Sequence, residues 1–169
     1  MDMPSQIFSF ARLMPLIAGV ALAGCGGSKD SSSEAALENA CTGKGIVVSE
    51  AWARSTREGQ PATAAYLSIC SADGDDKLIS ATFSGAAATE LHITSTSEDG
   101  TASMSQTSEI ALPEKEAITL KPGGAHIMII GVTEIIAPGD APVLTLEFEN
   151  ADPIQVTLDV RDAMGGGHH

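Results

Sequence analysis

The sequence predicts an all-β domain, on three observations. Short runs rich in Ile, Val, Thr and aromatic residues recur through residues 41–162, each closed by Gly, Pro, Asp or Ser. Towards the end of that stretch apolar and polar residues alternate. Leu144, Leu146 and Phe148 stand against Thr145, Glu147 and Glu149; Ile154, Val156, Leu158 and Val160 then stand against Gln155, Thr157 and Asp159. No segment sustains a helical period with caps. One side of each strand is therefore core and the other water, the pattern of an antiparallel sandwich or barrel.

The elements follow in chain order. Residues 1–24 hold one basic residue, Arg12, and then the apolar run 13–23. That run is too short for a transmembrane helix, which needs about 20 apolar residues, but it has the length of a signal-peptide core. It ends in Leu22-Ala23-Gly24-Cys25, which resembles the lipobox of bacterial lipoproteins, where the cysteine is lipidated and becomes the new N-terminus. Gly26 after that cysteine implies outer-membrane sorting if the host is Gram-negative, hence a periplasmic, lipid-anchored protein. Residues 26–40 are small, polar and Ser-rich, as in a flexible tether.

A single domain, 41–162, comes next. Strands are expected at 45–54, 63–71, 77–83, 89–96, 102–106, 117–120, 126–132, 142–149 and 153–160. Turn chemistry separates them at 72–75, 98–100, 121–124, 137–140 and 150–153. Cys41 and Cys70 remain after export, and two thiols in an oxidising compartment favour a disulfide. Residues 163–169 form a glycine-rich tail with Met164, His168 and His169.

The chain carries 22 acidic and 9 basic residues among 169, a net charge of −13. The signal removes one acid and one base, so the acidity belongs to the exported part. Such a surface excludes the usual nucleic-acid binder, which needs a basic patch, and repels anionic headgroups. No nucleophile elbow, carboxylate dyad or phosphate loop points to an enzyme.

The distribution of His and Met is more informative. Three of the 6 Met lie in the signal; every other Met and all 4 His fall in two places, the tail or the set His92, Met104, His126 and Met128. Core-filling methionine would be scattered among the strands. Imidazole with thioether suits Cu(I), whereas zinc sites rarely use thioether and calcium and magnesium want oxygen. Neutral donors also escape the oxidation that thiolates suffer outside the cytosol. His126 and Met128, two apart on one strand, share a face. A hairpin turning at 97–100 brings the strand of His92 to that of Met104, and Ser103 and Ser105 beside Met104 suit an exposed ligand. For Met128, between Ile127 and Ile129, core filling is the competing reading.

These residues carry a resemblance. His92 is followed by Ile93, ten residues, Met104, twenty-one residues and His126-Ile127-Met128. In this the sequence resembles the periplasmic copper chaperones of the PCuAC family, in their lipoprotein form. Flanking segments around Trp52, Tyr66, Glu90-Leu91-His92 and 120–126 agree as well, and the resemblance covers about residues 46–160. Ile93 departs from it, standing where many members have a second Met.

The resemblance implies a cupredoxin-like, Greek-key β-barrel or sandwich holding Cu(I) with His92, Met104, His126 and Met128. It implies delivery of copper to periplasmic acceptors, among them the CuA domain of cytochrome c oxidase and other copper chaperones. The tail residues Met164, His168 and His169 would be an auxiliary site, for Cu(II). Two alternatives stand beside this one: a lipid-anchored β-sandwich that binds or assembles without metal, and a copper buffer. A blue-copper electron carrier would need a cysteine ligand near the C-terminal ligands, and Cys41 and Cys70 both lie upstream of the set.

Overall fold

The computed structural model describes residues 41–97 and 99–162, which form eleven strands: β1 (Ile46–Arg54), β2 (Ala62–Ser71), β3 (Asp76–Phe83), β4 (Ala88–Thr96), β5 (Ala102–Thr107), β6 (Ile110–Leu112), β7 (Ala117–Leu120), β8 (His126–Ile130), β9 (Val143–Phe148), β10 (Ile154–Thr157) and β11 (Asp159–Arg161). Cys25, the apolar run before it, the tether and the tail residues Met164, His168 and His169 lie outside the described residues.

Two sheets pack face to face. The larger has the order β11-β1-β2-β8-β4-β5, with β7 also paired to β2; the smaller runs β10-β9-β3-β6. The sheets do not close, so of the two expected architectures the fold is the sandwich. Between them lies an aliphatic core that includes Leu67, Ile69, Leu78, Ile127, Ile129, Leu144 and Leu146. Each of these is essentially solvent-free, and burying one such side chain stabilises the fold by about 1.5–3 kcal/mol.

Two departures from the sequence reading have simple causes. Strand β6 was not expected, because three residues followed at once by Pro113 carry almost no periodic signal. The expected run 153–160 is two strands: β10 pairs antiparallel to β9, and β11 pairs parallel to β1 in the other sheet. At the switch the Leu158 N–H still donates to the Pro142 carbonyl at 2.9 Å, continuing the β9 register by one pair before Asp159 pairs with Trp52. Both sheets face one core, so the apolar alternation runs through the switch and conceals it.

Strand β8 stops at Ile130 because Gly131 takes a φ of 69°. A Cβ there would stand 2.5 Å from the Ala87 Cβ, so only glycine fits.

A bulge in β1 shapes the face where the candidate ligands lie. Val48 pairs with core-facing Ile69, yet Trp52 pairs with Tyr66 and Ala53 with Ala65. The register slips between Ser49 and Trp52, where Glu50 takes a φ of 51°. An extra residue reverses the alternation. Trp52 is thereby turned to the outer face of the large sheet, against Tyr66 with ring centroids 4.4 Å apart. Cys70 lies on that face of β2 too, joined by a disulfide to Cys41 with Cα atoms 5.6 Å apart, inside the range such a bridge requires.

Candidate metal centre

Three neighbouring strands bring the four His and Met residues together. His92 of β4 pairs with His126 of β8, Glu90 with Met128, and Thr94 with Met104 of β5. Directly opposed residues in an antiparallel pair project from the same face. His92, Met104, His126 and Met128 therefore all stand on the outer face of the large sheet, while Ile127, Ile129 and Leu91 point into the core. Met128 is half-buried and is not core filler.

Local chemistry holds this register. In the β4–β5 turn the Ser97 hydroxyl and the Thr101 N–H both donate to Asp99 Oδ1, at 2.6 and 3.0 Å, and Gly100 supplies a φ of 83°. Asp99 is thereby held below the ordinary carboxylate pKa, first by the Ser97 hydroxyl and then by Thr101. Before β8, the Lys121 N–H donates to the Ala125 carbonyl at 2.8 Å and the Gly124 N–H to the Lys121 carbonyl at 3.0 Å. That loop leaves the Gly124 carbonyl facing His126.

The partners of the two imidazoles fix their free atoms. A carbonyl only accepts, so the contact of 3.0 Å makes His126 Nδ1–H donate to Gly124 and leaves Nε2 with a lone pair. His92 Nε2–H donates to Glu90 Oε2 at 2.8 Å. His92 Nδ1 then keeps the lone pair, and it is buried without any hydrogen-bond partner, the one such side-chain atom among the described residues. A histidine tied to a carboxylate through one nitrogen and bare at the other is how metal-binding imidazoles are usually oriented.

The ring centroids of His92 and His126 are 5.6 Å apart. Two imidazoles on one ion, through bonds of about 2.0–2.1 Å, place their centroids roughly 5–6 Å apart. Met104, 55% exposed on the edge strand, and Met128 place two thioethers on the same face. Among the described residues no three His, Cys, Asp or Glu side chains gather as a metal site. The arrangement therefore offers soft, neutral donors and suits a soft ion.

An open pocket of about 370 Å³ adjoins the set, lined by Met104, His126 and Met128 together with Arg54, Gln60 and Tyr66 among others. His92 is not among the lining residues, but its ring neighbours that of His126. Tyr66 is buried and also lines this pocket, its ring centroid 6.3 Å from that of His126. Burial raises its phenol above the ordinary pKa, and the Arg54 guanidinium works the other way. The parity of β2, which puts Tyr66 on the face of Ala64 opposite Met128, was the available signal. Arg54 carried no sequence signal, since its stacking on Tyr66 is a contact that only the fold creates.

A family model described as "Putative lipoprotein LpqE-like" matches residues 46–160, most of the chain. The chain belongs to the LpqE-like family. It is 29% identical over 126 residues to the "Putative lipoprotein Lxx21020" of Leifsonia xyli subsp. xyli, a match that covers 74% of this chain and 75% of that one. Among solved structures, the "Copper-bound PCuAC domain from PmoF2" superposes with a TM-score of 0.59 at 26% identity, over 71% of this chain and 94% of that one. The Cu(I) form of DR1885 from Deinococcus radiodurans superposes with a TM-score of 0.54 at 23% identity, over 69% and 80%, a likeness of fold. PCuAC domains are thus structural neighbours of this LpqE-like chain, and the PmoF2 domain and DR1885 were each solved with copper bound.

Proposed function

We propose that this LpqE-like protein is an extracytoplasmic Cu(I) carrier, with His92, Met104, His126 and Met128 as the ligands. The observation that carries the reading is the convergence of four neutral soft donors on one outer face, with one buried imidazole nitrogen unpartnered. The copper-bound state of a structural neighbour at 26% identity supports it.

The geometry suits transfer rather than permanent storage. Met104 lies on an exposed edge, so an incoming acceptor can replace it first while the half-buried Met128 and the histidines still hold the ion. Neutral ligands leave with no protons to recover. Acceptors of this chemistry include a CuA domain of cytochrome c oxidase and other copper chaperones. Lipidation at Cys25 would tether the domain to a membrane, consistent with its lipoprotein family. Met164, His168 and His169 would add a weak Cu(II) site.

Cu(I) competition titration tests the reading. The full chain is expected to take up one Cu(I) at the main site, and Met128→Ala to weaken it at least tenfold. Unchanged affinity in Met128→Ala, or no uptake by the parent chain, overturns the assignment. Transfer of the bound ion to a CuA domain separates a carrier from a buffer.

A further inference from the structure

The outer face of the large sheet carries two cations stacked on aromatic rings, and they differ. Arg161 lies over Trp52 with its guanidinium carbon 5.1 Å from the ring centroid, and its Nε donates to Asp159 at 2.9 Å. Arg54 lies over Tyr66 at 5.8 Å and, among the described residues, forms no ion pair. Arg54 is the one that lines the pocket beside His126 and Met128. In a chain with 22 acidic residues against 9 basic, no carboxylate among the described residues lines that pocket. The distribution is the reverse of what composition would give.

An unpaired guanidinium beside a monovalent cation opposes its binding, unless an anion joins them. The pocket has space for one. At about 370 Å³ it far exceeds one ion, and the polar side chains of Gln60 and Tyr66 line it with Arg54. A planar guanidinium matches a carboxylate through two parallel hydrogen bonds. Any molecule that exchanges copper with Met104 and Met128 must cover this same opening.

We infer that Arg54 and the pocket around it form a docking subsite for an acidic side chain, an Asp or Glu beside the metal donors of the copper-exchange partner. This rests on the carrier reading above. A carboxylate seated on Arg54 brings the partner's donors over the exposed Met104 edge and offsets the cation while the ion moves. Partners presenting lysine or arginine there are repelled, and the recognition weakens with salt.

Two synthetic peptides with the same His and Met donors, one flanked by aspartates and one by serines, test the inference on the full chain. The aspartate peptide should bind the metal-free chain about two- to fivefold more tightly, the range of one exposed ion pair, and should draw Cu(I) from the loaded chain faster by a similar factor. Arg54→Gln should abolish both preferences without weakening Cu(I) binding, which tightens if anything once the like charge is gone, and Arg54→Lys should retain part of them. Equal behaviour of the peptides, or a preference surviving in Arg54→Gln, overturns the subsite. Acetate competing as well per carboxylate as the peptide overturns the partner and leaves a small-anion site. Loss of Cu(I) uptake with the peptide preference intact overturns the carrier reading instead.

Discussion

Two buried polar groups on opposite sheets are treated in opposite ways. Asp76, at the start of β3, is buried, and both carboxylate oxygens are in use. Oδ1 accepts from the Lys77 N–H at 2.7 Å, the Asn150 N–H at 3.0 Å and the Asn150 side-chain amide at 3.4 Å, while Oδ2 accepts from the Ala151 N–H at 2.9 Å. His92 Nδ1, on the outer face of the other sheet, is buried with nothing. Leaving a buried polar atom unpaired costs about 1–3 kcal/mol. The chain satisfies the group that holds a loop in place and leaves open the one that a ligand would complete. On the carrier reading proposed above, completeness marks structure and the gap marks function.

The largest effects should come from breaking the complete corner. Asp76→Ala strands three backbone N–H groups and should lower unfolding stability by about 2–4 kcal/mol, given roughly 1.5–3 kcal/mol per hydrogen bond to a charged group and partial rescue by water. Cu(I) affinity of the folded fraction should not change. A denaturant midpoint equal to that of the parent would show that the corner is not structural.

Acid probes the same carboxylate without mutation. Burial alone would raise its pKa, and the donors on Lys77, Asn150 and Ala151 outweigh that, so the folded value lies below the ordinary 3.8. A depressed folded pKa means the stabilisation is present above pH 3.8 and is lost as pH falls through the folded value. The stability gap between parent and Asp76→Asn should therefore be constant above that point and shrink below it. A gap that widens in acid reverses the sign.

The comparison also explains what the sequence could reveal. Period-two alternation located the core faces of β9 and β10, and the His and Met spacing picked out the set on β4, β5 and β8 before any fold was known. What escaped was created by irregularity or by contact. The β1 bulge reverses parity, so Trp52 could not be placed on the outer face by counting. The sheet switch at Leu158 keeps its alternation and leaves no trace in the pattern. The pairing of Glu90 with His92 is two residues apart on one strand and was within reach, because positions i and i+2 share a face. It went unread because a glutamate on a strand is usually a solvated group.

That pairing provides the smallest effect and the sharpest division between the two corners. Glu90 is half-exposed, so its hydrogen bond to His92 adds about 1 kcal/mol or less to stability. Its consequence should appear in metal binding. By holding Nε2–H, the carboxylate keeps the lone pair on Nδ1 and makes the ring a better donor, and loss of such an outer partner typically lowers metal affinity 10–100-fold. Glu90→Ala is expected near the lower end, about tenfold weaker for Cu(I), with an almost unchanged denaturant midpoint. Glu90→Gln keeps an acceptor for Nε2–H without the charge and should fall between Glu90→Ala and the parent. Asp76→Ala should do the reverse, moving the midpoint and not the affinity. If Glu90→Ala moved stability and left Cu(I) affinity unchanged, His92 would belong with Asp76 as a structural residue, and its bare nitrogen would not be a ligand.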